Sequence, residues 1–144
     1  MASYPQWYVD EIVETQGKLF EYVADFTPEV NLDDFIIKYM SGSTRKYIDK
    51  ADAYLSNMDE KDLYKYFCEQ EHYNPIKGKG FHGFVPDWIG QFYAYYQWKT
   101  GLSSNEVIKK LPLDFMKAAY HGLHDLDLNL AVNKVLTAMK ASHA

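Results

Sequence analysis

Cysteine is nearly absent from this chain: Cys68 is the only one, so no disulfide can form within it. None is needed, because at 144 residues folding buries roughly two thirds of the surface that the unfolded chain exposes. The lone thiol lies in a predicted helix and reads first as a small buried hydrophobe, with a nucleophile as the alternative. Arginine is as scarce. Arg45 stands alone among lysines, and the net charge is −5. Nucleic-acid binding needs a basic field and favours arginine forks, so both features argue against it.

Long apolar runs are missing too. The longest, residues 84–98, is interrupted by Pro86, Asp87, Gly90, Gln91 and Gln97 and is too short and polar to span a bilayer. The first residues, Met1-Ala2-Ser3-Tyr4-Pro5, lack the basic start and apolar stretch of a signal peptide, so a reducing cytosol is the expected compartment. No serine sits in a nucleophile elbow, and no phosphate-cradling or dinucleotide motif is present. The carboxylate pairs Asp33-Asp34 and Asp59-Glu60 fall at predicted helix starts, where the helix dipole accounts for them.

Aromatic residues are plentiful: 17% of the chain, including 13 tyrosines. A buried tyrosine needs a partner for its hydroxyl, so such a chain builds a core with many polar rims or lines a contact surface.

Apolar spacing is helical nearly throughout. From Trp7, the residues Val9, Ile12, Val13, Leu19, Phe20, Val23 and Phe26 share one stripe, with Ser3 as cap, Gly17 in mid-helix and Thr27-Pro28 as the stop. Asn31 caps a helix over 32–40 that Gly42 ends. Ser43 or Thr44 opens another through Leu55, and Asn57 with Glu60 resembles a capping box for the one carrying Leu63, Phe67 and Cys68. Pro86 starts a helix to Thr100 that Gly101 closes. Ser103 and Glu106 form a capping box, Pro112 begins the next helix and Gly122 ends it, and Asp125 caps the last. The expected fold is all-α: one domain over 1–144, seven or eight helices packed around the aromatic helix at 88–98. Trp88 and Phe92 are expected to be almost fully buried there.

Four constellations carry polar chemistry. In His121-Gly122-Leu123-His124-Asp125-x-Asp127, imidazoles and carboxylates have metal-ligand character, but a helix break at Gly122 would set the two histidines on different elements, so no metal is expected. In Lys77-Gly78-Lys79-Gly80-Phe81-His82-Gly83, backbone amides between lysines suit an anion, against the simpler reading of a solvated loop. The aromatic helix is core alone or core plus interface. Arg45, among Ser41, Ser43 and Thr44, holds an anion or, more simply, pairs with Asp49 one turn on.

Two segments are distinctive: Phe84-Val85-Pro86-Asp87-Trp88-Ile89-Gly90-Gln91-Phe92-Tyr93 running into Tyr95-Tyr96-Gln97-Trp98, and Leu111-Pro112 followed by Ala119-Tyr120-His121-Gly122-Leu123-His124. Both resemble an uncharacterised family of small helical bacterial proteins found in short cassettes with predicted toxins of the ADP-ribosyltransferase kind. The resemblance covers the C-terminal half and brings no catalytic motif. It implies an antitoxin or immunity-type protein that acts by binding.

The functional expectation is a non-enzymatic, cofactor-free protein-binding module. Its contact is expected in the irregular stretch 72–85, through Tyr73, Lys77, Lys79, Phe81, His82 and Phe84, since binding residues concentrate on long loops held by a rigid scaffold. The alternative is a small-molecule- or metal-binding enzyme using His82, His121 and His124.

Overall fold

The computed structural model describes residues 4–27 and 29–142. The architecture is all-α. Among the described residues there are nine helices: α1 Gln6–Phe26, α2 Leu32–Ser41, α3 Ser43–Asp49, α4 Ala53–Ser56, α5 Glu60–Gln70, α6 Val85–Thr100, α7 Ser104–Lys110, α8 Leu113–Leu123 and α9 Leu128–Ser142. The one β-feature among them is an isolated bridge between Val30 and Lys77.

The long helices α1 and α6 form the central pair, and α7, α8 and α9 pack around α6 while α5 packs on α1. Two glycines permit the central contact. A Cβ on Gly90 would stand 2.6 Å from the carbonyl oxygen of Gln16 and 2.9 Å from Cα of Gly17. The mid-helix Gly17, unfavourable by propensity alone, is thus the residue that lets the two backbones approach. Across this crossing the Gln16 side-chain amide donates to the Gly90 carbonyl at 2.7 Å.

The aromatic core lies on both sides of that pair. Phe35 is central on one side, packed edge-on against Phe20, Tyr64 and Phe67 at 5.5–6.2 Å between centroids. On α6, Ile89, Phe92, Tyr93 and Tyr96 are buried, and the Tyr93 hydroxyl donates to the Leu111 carbonyl at 2.6 Å. Phe92 is fully enclosed as expected, whereas Trp88 is only half-buried. On this helix Gly90, not Trp88, meets the backbone of α1. On α1 the expected stripe is buried except Phe26, which is 64% exposed and stacks on Tyr22.

Several boundaries differ from the sequence reading. Pro5 occupies the N-cap of α1, and the anticipated cap Ser3 and stop Pro28 lie outside the described residues. The helix from Ser43 does not continue to Leu55. It ends at Asp49, Ala51 takes a left-handed φ of 60°, and Asp52 caps the separate turn α4. Asp59, not Asn57, caps α5 through its bond from the Asp62 amide, which leaves Asn57 as the last residue of the preceding turn. Gly101 at φ 74° and the Ser103–Glu106 capping box stand as expected.

Candidate functional site

Perturbed polar groups in a cleft are the usual mark of a catalytic site, and this fold buries a polar cluster around Arg45. Arg45 is fully buried, and three helices meet on it. Its Nε donates to Gln16 of α1 at 2.7 Å, Nη1 to Asp49 of α3 at 2.7 Å, and Nη2 to Gln97 of α6 at 2.9 Å. Asp49 also accepts from the Gln97 amide at 2.6 Å and from the Ser104 backbone and hydroxyl at 3.0 and 3.2 Å. The Tyr4 ring lies 5.7 Å from the guanidinium, and burial pushes its hydroxyl up to about 12 against the opposing pull of Arg45. Burial by itself would lower the arginine, but Tyr4, Asp49 and Tyr39 outweigh it and hold it above its usual value.

This cluster is the expected i,i+4 pair of Arg45 and Asp49, and it is sealed. The adjoining cavity, between Arg45, Tyr39, Leu55 and Ser56, measures about 10 Å³, the space of one water. The network satisfies a buried charge at the meeting point of α1, α3, α6 and α7, and among the described residues the space beside it is too small for a substrate.

The loop 71–84 is held down along most of its length. Tyr73 is buried, and its hydroxyl donates to Asp34 at 3.0 Å. The Asn31 amide donates to the Ile76 carbonyl at 2.8 Å and the Gly78 amide to the Glu29 carbonyl at 2.9 Å. Phe81 is half-buried beneath the Lys117 ammonium, 4.5 Å from its ring centre, and Lys117 pairs in turn with Asp33 at 2.7 Å. Of the six residues expected to bind a partner, Tyr73 therefore belongs to the core and Phe81 to the loop's own packing. Lys77, Lys79, His82 and Phe84 remain exposed.

The three histidines considered from the sequence lie at the surface. His82, His121 and His124 are all exposed, and among the described residues no group of three or more His, Cys, Asp or Glu side chains is placed to hold a metal ion. Gly122 does not break the helix as expected: α8 runs through it to Leu123, and His124 is the C-cap. Its Nδ1 lies 2.8 Å from the Tyr120 carbonyl and its Nε2 3.1 Å from Asp125. Asp125 thus pairs with His124 and lies in the turn before α9, two residues short of the N-cap position.

What the fold does assemble is an aromatic groove at the start of α6. Phe84, the N-cap residue of α6, is 79% exposed. Trp88, one turn on, meets Tyr120 of α8 edge-to-face at 5.5 Å. Tyr120 stacks on the His124 ring at 4.4 Å, 14° from parallel. Leu126 and Leu128 complete the apolar lining, and Asp87, Gln91 and Asp127 add polar groups to a depression of about 510 Å³. Sequence reasoning reached Phe84 through the loop and read Trp88 as core. It missed Tyr120 as a surface residue, although Tyr120 shares its helix with the histidines that were singled out.

Comparison with protein-family models, with curated proteins and with solved structures finds no match to this chain. No helix among the described residues is long and apolar enough to cross a membrane.

Proposed function

We propose that this chain is a non-enzymatic protein-binding module and that the groove of Phe84, Trp88, Tyr120 and His124 is its contact surface. One observation carries the reading: Phe84 holds a large apolar ring four-fifths in water at the N-cap of α6, one of the two central helices of the fold. Isolated exposed hydrophobes are ordinary, but this one adjoins two further partly exposed aromatics on rigid helices, the composition of an interface centre. The two segments that resemble the toxin-cassette family, 84–98 and Leu111-Pro112 with 119–124, each contribute residues to this groove: Phe84, Asp87, Trp88 and Gln91 from the first, Tyr120 and His124 from the second. That supports a bacterial, cytosolic protein of antitoxin or immunity type, with a toxin as the bound partner and a protein, not a nucleic acid, as the class of ligand.

The test is affinity capture from native lysate with the wild-type chain and with Phe84→Ser as baits. A stoichiometric protein retained by the wild type and lost from the folded variant is the expected result. Equal retention by both removes the groove from the interface and returns attention to Lys77 and Lys79.

A further inference from the structure

The groove is not a plain apolar cleft, because carboxylates border its rings. Asp87 and Asp127 both line it. Asp87 and Gln91 also line the next depression along α6, whose other charged residues are Asp10, Glu14 and Lys18. Lys18 is engaged by Glu14 at 2.7 Å, so the acidic side of this face keeps its excess. Neighbouring groups register that excess. Burial first, and then the carboxylates of Asp87 and Asp25, raise the Glu21 carboxyl. Burial, then Asp127 and Asp10, raise the Tyr95 hydroxyl.

Three kinds of occupant compete for such a site. A purely apolar side chain would cover the rings but strip water from Asp87 and Asp127 without replacing it. An anion would be repelled. A cation satisfies both halves, since aromatic faces attract positive charge and carboxylates pair with it. Between the two cationic side chains, the flat guanidinium stacks on rings and offers a fork to carboxylates, whereas an ammonium is a compact, strongly hydrated point charge. The aromatic walls suit the flat group: Trp88 and Tyr120 stand 78° apart beside the exposed Phe84 ring, and both His124 ring nitrogens are already turned to protein oxygens.

Resting on the protein-binding reading above, we infer that the groove is a guanidinium socket. It receives an arginine side chain from a basic segment of the partner protein, packed among the Phe84, Trp88 and Tyr120 rings with its fork toward Asp87 and Asp127. Recognition then combines a stacked contact with charge-assisted hydrogen bonds, and the acidic body of the chain steers the basic segment to it.

The probes are three capped glycine-spaced peptides that differ only in the repeated residue: arginine, lysine, or citrulline, which keeps the shape of arginine without its charge. Binding is followed by the indole N–H resonance of Trp88, with those of Trp7 and Trp98 as internal references. The arginine peptide is expected to move the Trp88 signal saturably. Its affinity should fall as added salt shortens the screening length from about 30 to about 8 Å. Asp87→Asn combined with Asp127→Asn should weaken it about tenfold while circular dichroism stays unchanged. The lysine and citrulline peptides should bind more weakly than the arginine one. Equal binding of citrulline, equal binding of lysine, or an unchanged affinity in the double variant overturns the guanidinium assignment, as does the absence of any Trp88 shift. Each of those results leaves the groove standing as the contact surface, which fails only if the captured partner survives Phe84→Ser.

Discussion

Replacing Gly90 with alanine isolates the contact on which the fold is built. In most helices this change is favourable by up to ~1 kcal/mol, because alanine restricts the unfolded chain and favours the helix. Here the new methyl would lie 2.6 Å from the Gln16 oxygen and 2.8 Å from its carbonyl carbon, both backbone atoms that no rotamer change can move. Restoring the 3.4 Å of ordinary contact requires α1 and α6 to separate by about 0.8 Å at their crossing. That separation loosens the core on both sides, and overpacking of this kind costs about 1–3 kcal/mol or more. It also stretches the bond from Gln16 to the Gly90 carbonyl, worth about 1 kcal/mol. The net expectation is a loss of about 2 kcal/mol, a fall in Tm of roughly 4–8 °C at this chain length. Gly122→Ala is the matched control. It is also helical, yet a Cβ there meets nothing within 4 Å, so Tm should hold or rise slightly. Thermal melts of both variants by circular dichroism decide the matter. A Gly90→Ala protein that melts at or above the wild-type temperature refutes the close crossing.

Three further outcomes are expected. Phe92→Ala should cost about 3–5 kcal/mol in a denaturant titration, since the ring is wholly enclosed between Trp88 and Tyr96; a shift under ~1 kcal/mol would show that α6 is not central. Asp49→Ala should cost about 3–5 kcal/mol, because it leaves Arg45 charged and buried with only two amide partners, and a variant as stable as wild type would mean that water reaches the guanidinium. Tyr4 titrates near 10.0 when unfolded and at about 12 when folded, so its contribution is complete below pH 10 and fades as pH climbs from 10 to about 12, by roughly 3 kcal/mol in all. A Tyr4→Phe variant whose denaturation midpoints change across that window just as the wild type's do would place Tyr4 in solvent, because the other buried tyrosines are common to both proteins.

The helical plan was legible because most elements announce themselves locally. Asn31, Ser103, Pro86 and Gly101 each do at a helix end what their chemistry favours, and the buried faces of α1 and α9 follow a 3.6-residue period. The errors fall where long-range contacts outrank local signals. Asn57 is a good cap by type, but Asp59 is equally good and better placed for α5. The start of α3 is capped from a distance, by the Glu71 carboxylate accepting from the Thr44 amide at 2.9 Å, which no spacing rule reveals. Gly122 resembles a helix stop, yet α8 tolerates it because the following residues keep helical geometry through His124.

The candidate site was only half legible, and the reason lies in α6 itself. A helix whose residues are aromatic on every side gives little amphipathic contrast, so periodicity cannot separate its core face from its surface face. Gly90 supplies the missing reference. The glycine must face α1, because no other residue of α6 would fit against the Gln16 and Gly17 backbone at the close crossing. Ile89, Tyr93 and Gln97 then pack inward with it, and Trp88, one position back, swings to the flank where α8 brings Tyr120 to meet it. The same rotation sends Gln97 to the buried Arg45 and Asp87 to the groove rim. The crossing that fixes the core therefore also fixes the surface. A Gly90→Ala protein that stays folded should show a displaced Trp88 indole signal and, on the reading proposed above, weaker capture of the partner, although residue 90 touches neither.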